Sequence, residues 1–138
     1  WSGHTLVVLG DCYFTEDAVD AMCQPVSDWT LYCRPGPSTI TGKPYGECWA
    51  FSLPEHTHQR YRETLVWLAG MGALGETGRC GGWPLYRALL NQNLNDHTMT
   101  TNYQVIDDWS EDFDYPHDFD MWSHRRSVPT PLSERPVP

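Results

Sequence analysis

The chain has 138 residues, enough for one domain with a real core, and its 40% hydrophobic and 20% charged content is that of a globular protein. A net charge of −9 excludes a general binder of phosphate backbones, which needs a basic face, so no direct nucleic-acid binding is expected. It leaves room for a metal–nucleotide site, because a cation can bridge acidic side chains to an anionic ligand.

The first predicted strand is Thr5–Leu9. Its run Leu6-Val-Val-Leu9 is continuously apolar, the pattern of a strand covered on both faces, so it is expected inside a sheet. Gly10-Asp11 then places a carboxylate at its carboxyl end, the rim where open α/β sheets bind ligands. A short helix is predicted over Thr15–Cys23, with Thr15 as N-cap, Glu16 and Asp17 in the first turn, and Pro25 ending it. A strand at Trp29–Cys33 leads into a Gly/Pro-rich loop, Arg34–Gly46, too long for a simple turn. Another strand is expected at Glu47–Phe51.

The longest helix is predicted over Leu53–Ala69, with Ser52 and Glu55 as a capping box, a stripe of Tyr61, Leu65, Leu68 and Ala69, and Gly70 just past its end. Six glycines make Gly70–Gly82 read as a mobile loop. A short helix over Trp83–Leu90 is opened by Pro84. Tyr103–Ile106 reads as a strand that runs into an acidic knot, Asp107–Asp118. The last helix is expected at Pro116–Arg125, packing Phe119 and Trp122, with Arg125 and Arg126 suiting its C-terminus. Strands alternating with helices predict an α/β fold with a mostly parallel, layered sheet flanked by helices, over residues 1–126. Residues 127–138 carry four prolines and no apolar period, and read as a disordered or draped tail.

Five cysteines in no metal-clip spacing read as reduced thiols, hence a reducing, cytoplasmic compartment. No run approaches a membrane span and no signal peptide is visible. The chain starts at Trp1, almost at once in a strand, which suggests a missing upstream segment.

Several side chains are candidates for chemistry, each with a plainer reading beside it. Asp11 could simply cap a turn. Lys43, one of two basic residues in its loop with Arg34, could contact a phosphate or an acceptor, or be a solvated lysine. Arg79 lies in a glycine-rich lead into a helix, where backbone amides can bind anions, or in a plain flexible loop. Tyr13, Tyr45, Trp83 and Tyr86 could stack on a sugar ring, or fill core and rim. Asp107, Asp108, Glu111 and Asp112 could be a solvated acidic loop, or support metal ligands from behind; Asp108 and Asp112 are the candidates for that support. His56 and His58, two positions apart, do not share a helix face and make a poor zinc pair.

The stretch Asp112-Phe-Asp-Tyr-Pro-His-Asp-Phe119 resembles the D-x-D-T-P-E-D-L element of sugar-nucleotidyltransferases, with Tyr115 in the threonine place and His117 in the glutamate place. Those enzymes carry an upstream strand-end Gly-Asp, here Gly10-Asp11. The chain thus looks like a member of the nucleotidyltransferase-like, GT-A-type glycosyltransferase superfamily, with small phage-type relatives in view, and the resemblance implies a partial Rossmann-like GT-A fold. It further implies that Asp11 and Asp114 hold Mg2+ (or Mn2+) against nucleotide phosphates, and that Asp118 is a structural helix-start residue. The partners implied are a nucleotide or nucleotide-sugar and a sugar or phosphate acceptor, with Lys43 and Arg79 as catalytic cations and no membrane. The family's glycine-rich nucleotide loop precedes the Gly-Asp strand, and only four residues precede Thr5 here. The resemblance therefore implies a C-terminal portion that pairs with a missing N-terminal segment or another chain. The rival reading is a non-catalytic α/β interaction module within a larger assembly.

Overall fold

Four strands make the main sheet in this computed structural model, which describes residues 1–73 and 81–128. They are β1 (Thr5–Val8), β3 (Thr30–Arg34), β4 (Glu47–Leu53) and β5 (Tyr103–Val105), in the order β1-β4-β3-β5. A two-stranded ribbon joins β2 (Cys12–Tyr13) to β6 (Glu111–Asp112). The helices are α1 (Glu16–Cys23), α2 (His58–Ala73), α3 (Gly82–Leu89) and α4 (Pro116–Ser127).

The sheet is mixed, which corrects the mostly parallel expectation. β1 and β3 both run antiparallel to β4, and only β3 and β5 pair in parallel. The connections explain this. α1 lies between β1 and β3, and α2 and α3 lie between β4 and β5, so helices can carry the chain back across the sheet. The Arg34–Gly46 loop contains no helix, and β4 folds back against β3. Three strands, β1, β3 and β5, therefore share one direction, and β4 alone is reversed.

β1 is not internal. Among the described residues it pairs with β4 alone and forms one edge of the sheet. Its continuous apolar run faces a free side, and Val8 is 46% exposed. The start of α1 follows expectation more closely, down to the Thr15 hydroxyl accepting the Ala18 amide at 3.1 Å.

The capping box at Ser52 does not form. Ser52 is a β4 residue opposite both Leu6 and Thr30, and its hydroxyl meets His4 Nε2 at 2.6 Å. The chain leaves β4 through a 3-10 turn, Glu55–Thr57, in which the Thr57 amide and hydroxyl both donate to the Pro54 carbonyl. α2 runs on past Gly70 to Ala73. It buries Tyr61 and Leu68, while Ala69 faces solvent.

The sheet separates two apolar clusters. α2 and α3 cover one face, where Leu31, Phe51, Leu53, Tyr61, Leu68 and Leu89 pack together. α1 covers the other, with Ala18, Met22, Tyr32, Trp49, Ala50 and Ile106. Burying each large apolar side chain of this kind contributes about 1.5–3 kcal/mol.

A bulge in β4 sets the chemistry of the second face. Tyr32 lies opposite Ala50 but Cys33 lies opposite Cys48, so Trp49 is an extra residue. Trp49 and Ala50 consequently share the α1 face, Cys48 turns to the opposite cluster, and Glu47 returns to the α1 face. In a regular strand Glu47 would point into the apolar α2–α3 core.

Cys12, Cys23, Cys33 and Cys48 are free thiols. Among the described residues no helix is long and apolar enough to cross a membrane. α4 extends to Ser127, two residues past the helix end read from the sequence; of the tail proposed from 127, residues 129–138 lie outside the described residues.

Candidate functional site

Strands of one direction end on one edge of a sheet, and β1 and β5 share a direction. Asp11 follows β1 and the acidic knot follows β5, so both arrive at the same rim. The ladder continues past β1, with the Leu9 amide donating to Trp49 O at 2.9 Å. The β2–β6 ribbon then sets Cys12 opposite Asp112, and the Phe113 amide donates to Asp11 O at 3.2 Å. Ligand atoms of Asp11, Cys12 and Asp112 lie within 4.8 Å of one another, and so do those of Glu47, Asp112 and Asp114. Asp112 belongs to both groups. The sequence resemblance places the ligand pair at Asp11 and Asp114; the geometry makes Asp112 the residue that links them.

Lys43 sits within the second group. Its Nζ donates to Asp114 Oδ2 at 3.0 Å and to Asp112 O at 2.8 Å. It also lies 3.3 Å from Glu47 Oε1, 3.7 Å from Asp112 Oδ2 and 3.5 Å from Asp118 Oδ2. The reading of Lys43 as a solvated loop lysine is corrected, since the residue is buried. Burial opposes its charge, but Asp114, Glu47 and Asp112 outweigh that effect and raise its pKa.

One ammonium cannot neutralise four carboxylates. Burial, joined by repulsion from Asp112, pushes the Glu47 carboxyl up to about 7 even beside Lys43. Asp112 is raised by burial too, with Asp114 and Asp11 adding to it and Lys43 opposing. Asp112 Oδ1 is buried and has no hydrogen-bond partner. The Cys12 thiol, half-buried and facing Asp112 and Asp11, is pushed up to about 12 and stays protonated at neutral pH.

The loop that carries Lys43 is held by a second network, centred on Glu111. Glu111 is fully buried, so it is no part of a solvated acidic loop. Its Oε1 accepts from Arg34 Nη2 at 2.7 Å, and its Oε2 accepts from the Ser38 and Thr41 hydroxyls at 2.5 and 3.2 Å. Ser38 Oγ in turn accepts the Ile40 and Thr41 amides, and Gly42 takes a φ of +79°, a left-handed turn that suits glycine. The Arg34 guanidinium also lies 5.4 Å from the centre of the Trp49 ring. The long loop is thus a packed strap.

The remaining candidates are scattered. Asp108 accepts from the Thr15 hydroxyl and, at 2.7 Å, from the Ser110 amide, so it fastens the start of α1. Asp118 Oδ2 accepts the Tyr115 amide at 3.0 Å, a helix-start role as expected. The Tyr13 ring packs 4.7 Å from Trp122 and its hydroxyl accepts from Arg126 at 2.9 Å. Tyr86 is 1% exposed with its hydroxyl donating to Thr101 O at 2.7 Å, which leaves it a core residue with no face for a sugar. Tyr45 and Trp83 share a cleft with Arg87 and His97. Arg79 lies outside the described residues.

Glu47, Arg87 and His97 were not singled out from the sequence. Glu47 was hidden because the bulge that turns it has no local signature. Compared with known proteins, the chain matches no family model, no curated protein and no solved structure.

Proposed function

We propose that this chain supplies the metal- and acceptor-binding part of a magnesium-dependent nucleotidyl- or glycosyltransferase that acts in the cytoplasm on a nucleotide or nucleotide-sugar. One observation carries the reading. Asp11 and Asp112, 101 positions apart (112 − 11), present ligand atoms within 4.8 Å at the carboxyl rim of the sheet.

The donor set fits a hard cation. Asp11, Asp112 and Asp114 offer oxygens, Asp112 Oδ1 lacks a partner, and the protonated Cys12 thiol is a poor ligand for magnesium or manganese. When bound, the ion would neutralise charge that builds on a leaving phosphate or diphosphate. The chain's own part is positioning. Lys43 holds Asp112 and Asp114 in place from the buried side, while Asp114 remains partly open to solvent. The Arg34–Glu111 network fixes the strap that carries Lys43.

Calorimetry with nucleotide-sugars tests the reading. Binding should require Mg2+ and should fall at least tenfold in Asp11→Asn and Asp114→Asn, with folding retained. Binding that is identical with and without the metal, in all three proteins, would contradict it. A second reading, the non-catalytic interaction module, draws on the open apolar edge at β1, which can accept another strand. It predicts no divalent-cation binding at the rim.

A further inference from the structure

Two clefts meet at one buried charge. One, of about 360 Å3, is walled by Tyr45 and Trp83; the other, of about 490 Å3, by Trp67, Met71 and Asn93. Arg87 and His97 line both, so the two adjoin as one groove along α3 with that pair at its middle.

Arg87 is a cation that lacks an anion. It is 8% exposed, its Nη1 donates to Leu94 O at 2.7 Å, and its Nη2 donates to His97 Nδ1 at 2.9 Å. Among the described residues no carboxylate forms an ion pair with it. Asp96 feels its charge, but that carboxylate is exposed and accepts the Thr98 amide at 2.9 Å. Buried charges are ordinarily paired, because an unpaired one bears its full desolvation cost. The guanidinium can only donate, so His97 accepts at Nδ1 and, when neutral, carries its proton on Nε2. The middle of the groove therefore presents donors.

Its two ends present apolar surface. Trp67 on α2 is 50% exposed, beside the exposed Val66, and a half-open tryptophan of this kind is a typical anchor for a partner. At the other end Tyr45 is half exposed, and the Trp83 indole N–H is committed to Gly46 O at 3.2 Å, which leaves its ring to the groove. Asn93 and Asn95, exposed along the larger cleft, offer side-chain amides to a peptide backbone.

We propose that this groove docks an acidic linear segment of a partner protein, with one Asp or Glu carboxylate of the partner on Arg87 and His97 and apolar side chains of the partner against Trp67 on one side and Tyr45 and Trp83 on the other. An extended chain supplies that pattern, since its side chains recur about every 3.3 Å. One guanidinium and one neutral imidazole match a single negative charge, and the field of a chain with net charge −9 disfavours a doubly charged group. The inference uses no part of the metal site and stands apart from the transferase reading.

Selection of phage-displayed random heptapeptides on the wild-type chain tests it, in EDTA so that no cation bridges a ligand to the carboxylate cluster. The selected peptides are then synthesised and titrated by calorimetry. They should share one Asp or Glu with an apolar residue on each side. Replacing that acidic residue by its amide should weaken binding roughly tenfold or more, and Arg87→Met should do the same. Trp67→Ala, at an exposed position, should weaken it several-fold, with circular dichroism showing both variants folded. Should Arg87→Met fail to fold, the amide peptide and Trp67→Ala decide. Failure to enrich any peptide, or enrichment of peptides without a shared acidic residue, would overturn the inference. So would equal affinity for the acidic peptide and its amide form. Tighter binding of a phosphoserine in the acidic position would overturn the carboxylate assignment.

Discussion

Two buried arginines lie on opposite faces of one sheet and have opposite surroundings. Arg34 meets Glu111 at 2.7 Å, and the Glu111 carboxylate is then filled by Ser38 and Thr41, so that its charge is matched inside the fold even though Arg34 Nε has no partner. Arg87 meets a carbonyl and an imidazole and faces a cleft. The first arrangement holds a strap in place. The second leaves charge available to a ligand. Burial alone therefore does not tell the two arginines apart; the partner does.

The largest effect should come from breaking the Arg34–Glu111 pair. Glu111→Ala strands the Arg34 guanidinium and two hydroxyls in the interior, and should cost about 3–5 kcal/mol. Urea unfolding measures it, and a loss under about 1 kcal/mol would show that the pair is not what secures the strap.

The comparison sharpens when both arginines are made apolar. Arg34→Met strands Glu111 and should cost a similar amount to the loss of Glu111. Arg87→Met strands no carboxylate among the described residues and should change ligand-free stability by no more than about 1 kcal/mol. Equal losses in the two variants would mean that Arg87 has a structural counter-charge after all.

A smaller effect concerns pH at the carboxylate cluster. Glu47 is held near 7 in the fold against an ordinary 4.5, so between those values the native state binds more protons than the unfolded chain. Stability attributable to Glu47 therefore falls as pH rises from about 4.5 to about 7. Glu47→Gln, neutral throughout, should remove that fall and gain on the order of 1 kcal/mol on wild type between pH 5 and pH 8. Unfolding curves in EDTA at the two pH values check it; a difference between variant and wild type that does not move with pH would contradict the assignment.

The sequence made the directional strands and most helices readable, because apolar runs, Thr15, Pro116 and the acidic first turns are local signals. The rim position of Asp11 was readable too, since it depends only on the end of an apolar strand. The reversal of β4 was not, because it follows from which strands pair, a long-range outcome. Ser52 shows the same limit, as its pairing with Leu6 and Thr30 overrode a good local capping pattern. Glu47 depended on a bulge one residue wide, and the Arg87–His97 pair on a loop whose course had no sequence pattern.

The most direct test of the proposed site is a Mn2+ titration followed by electron paramagnetic resonance, on wild type and Asp112→Asn. Wild type should bind one ion, displaced by Mg2+, and the variant should bind it at least tenfold more weakly, because Asp112 joins both ligand groups. No bound Mn2+ in wild type, or equal binding by the two proteins, would contradict it.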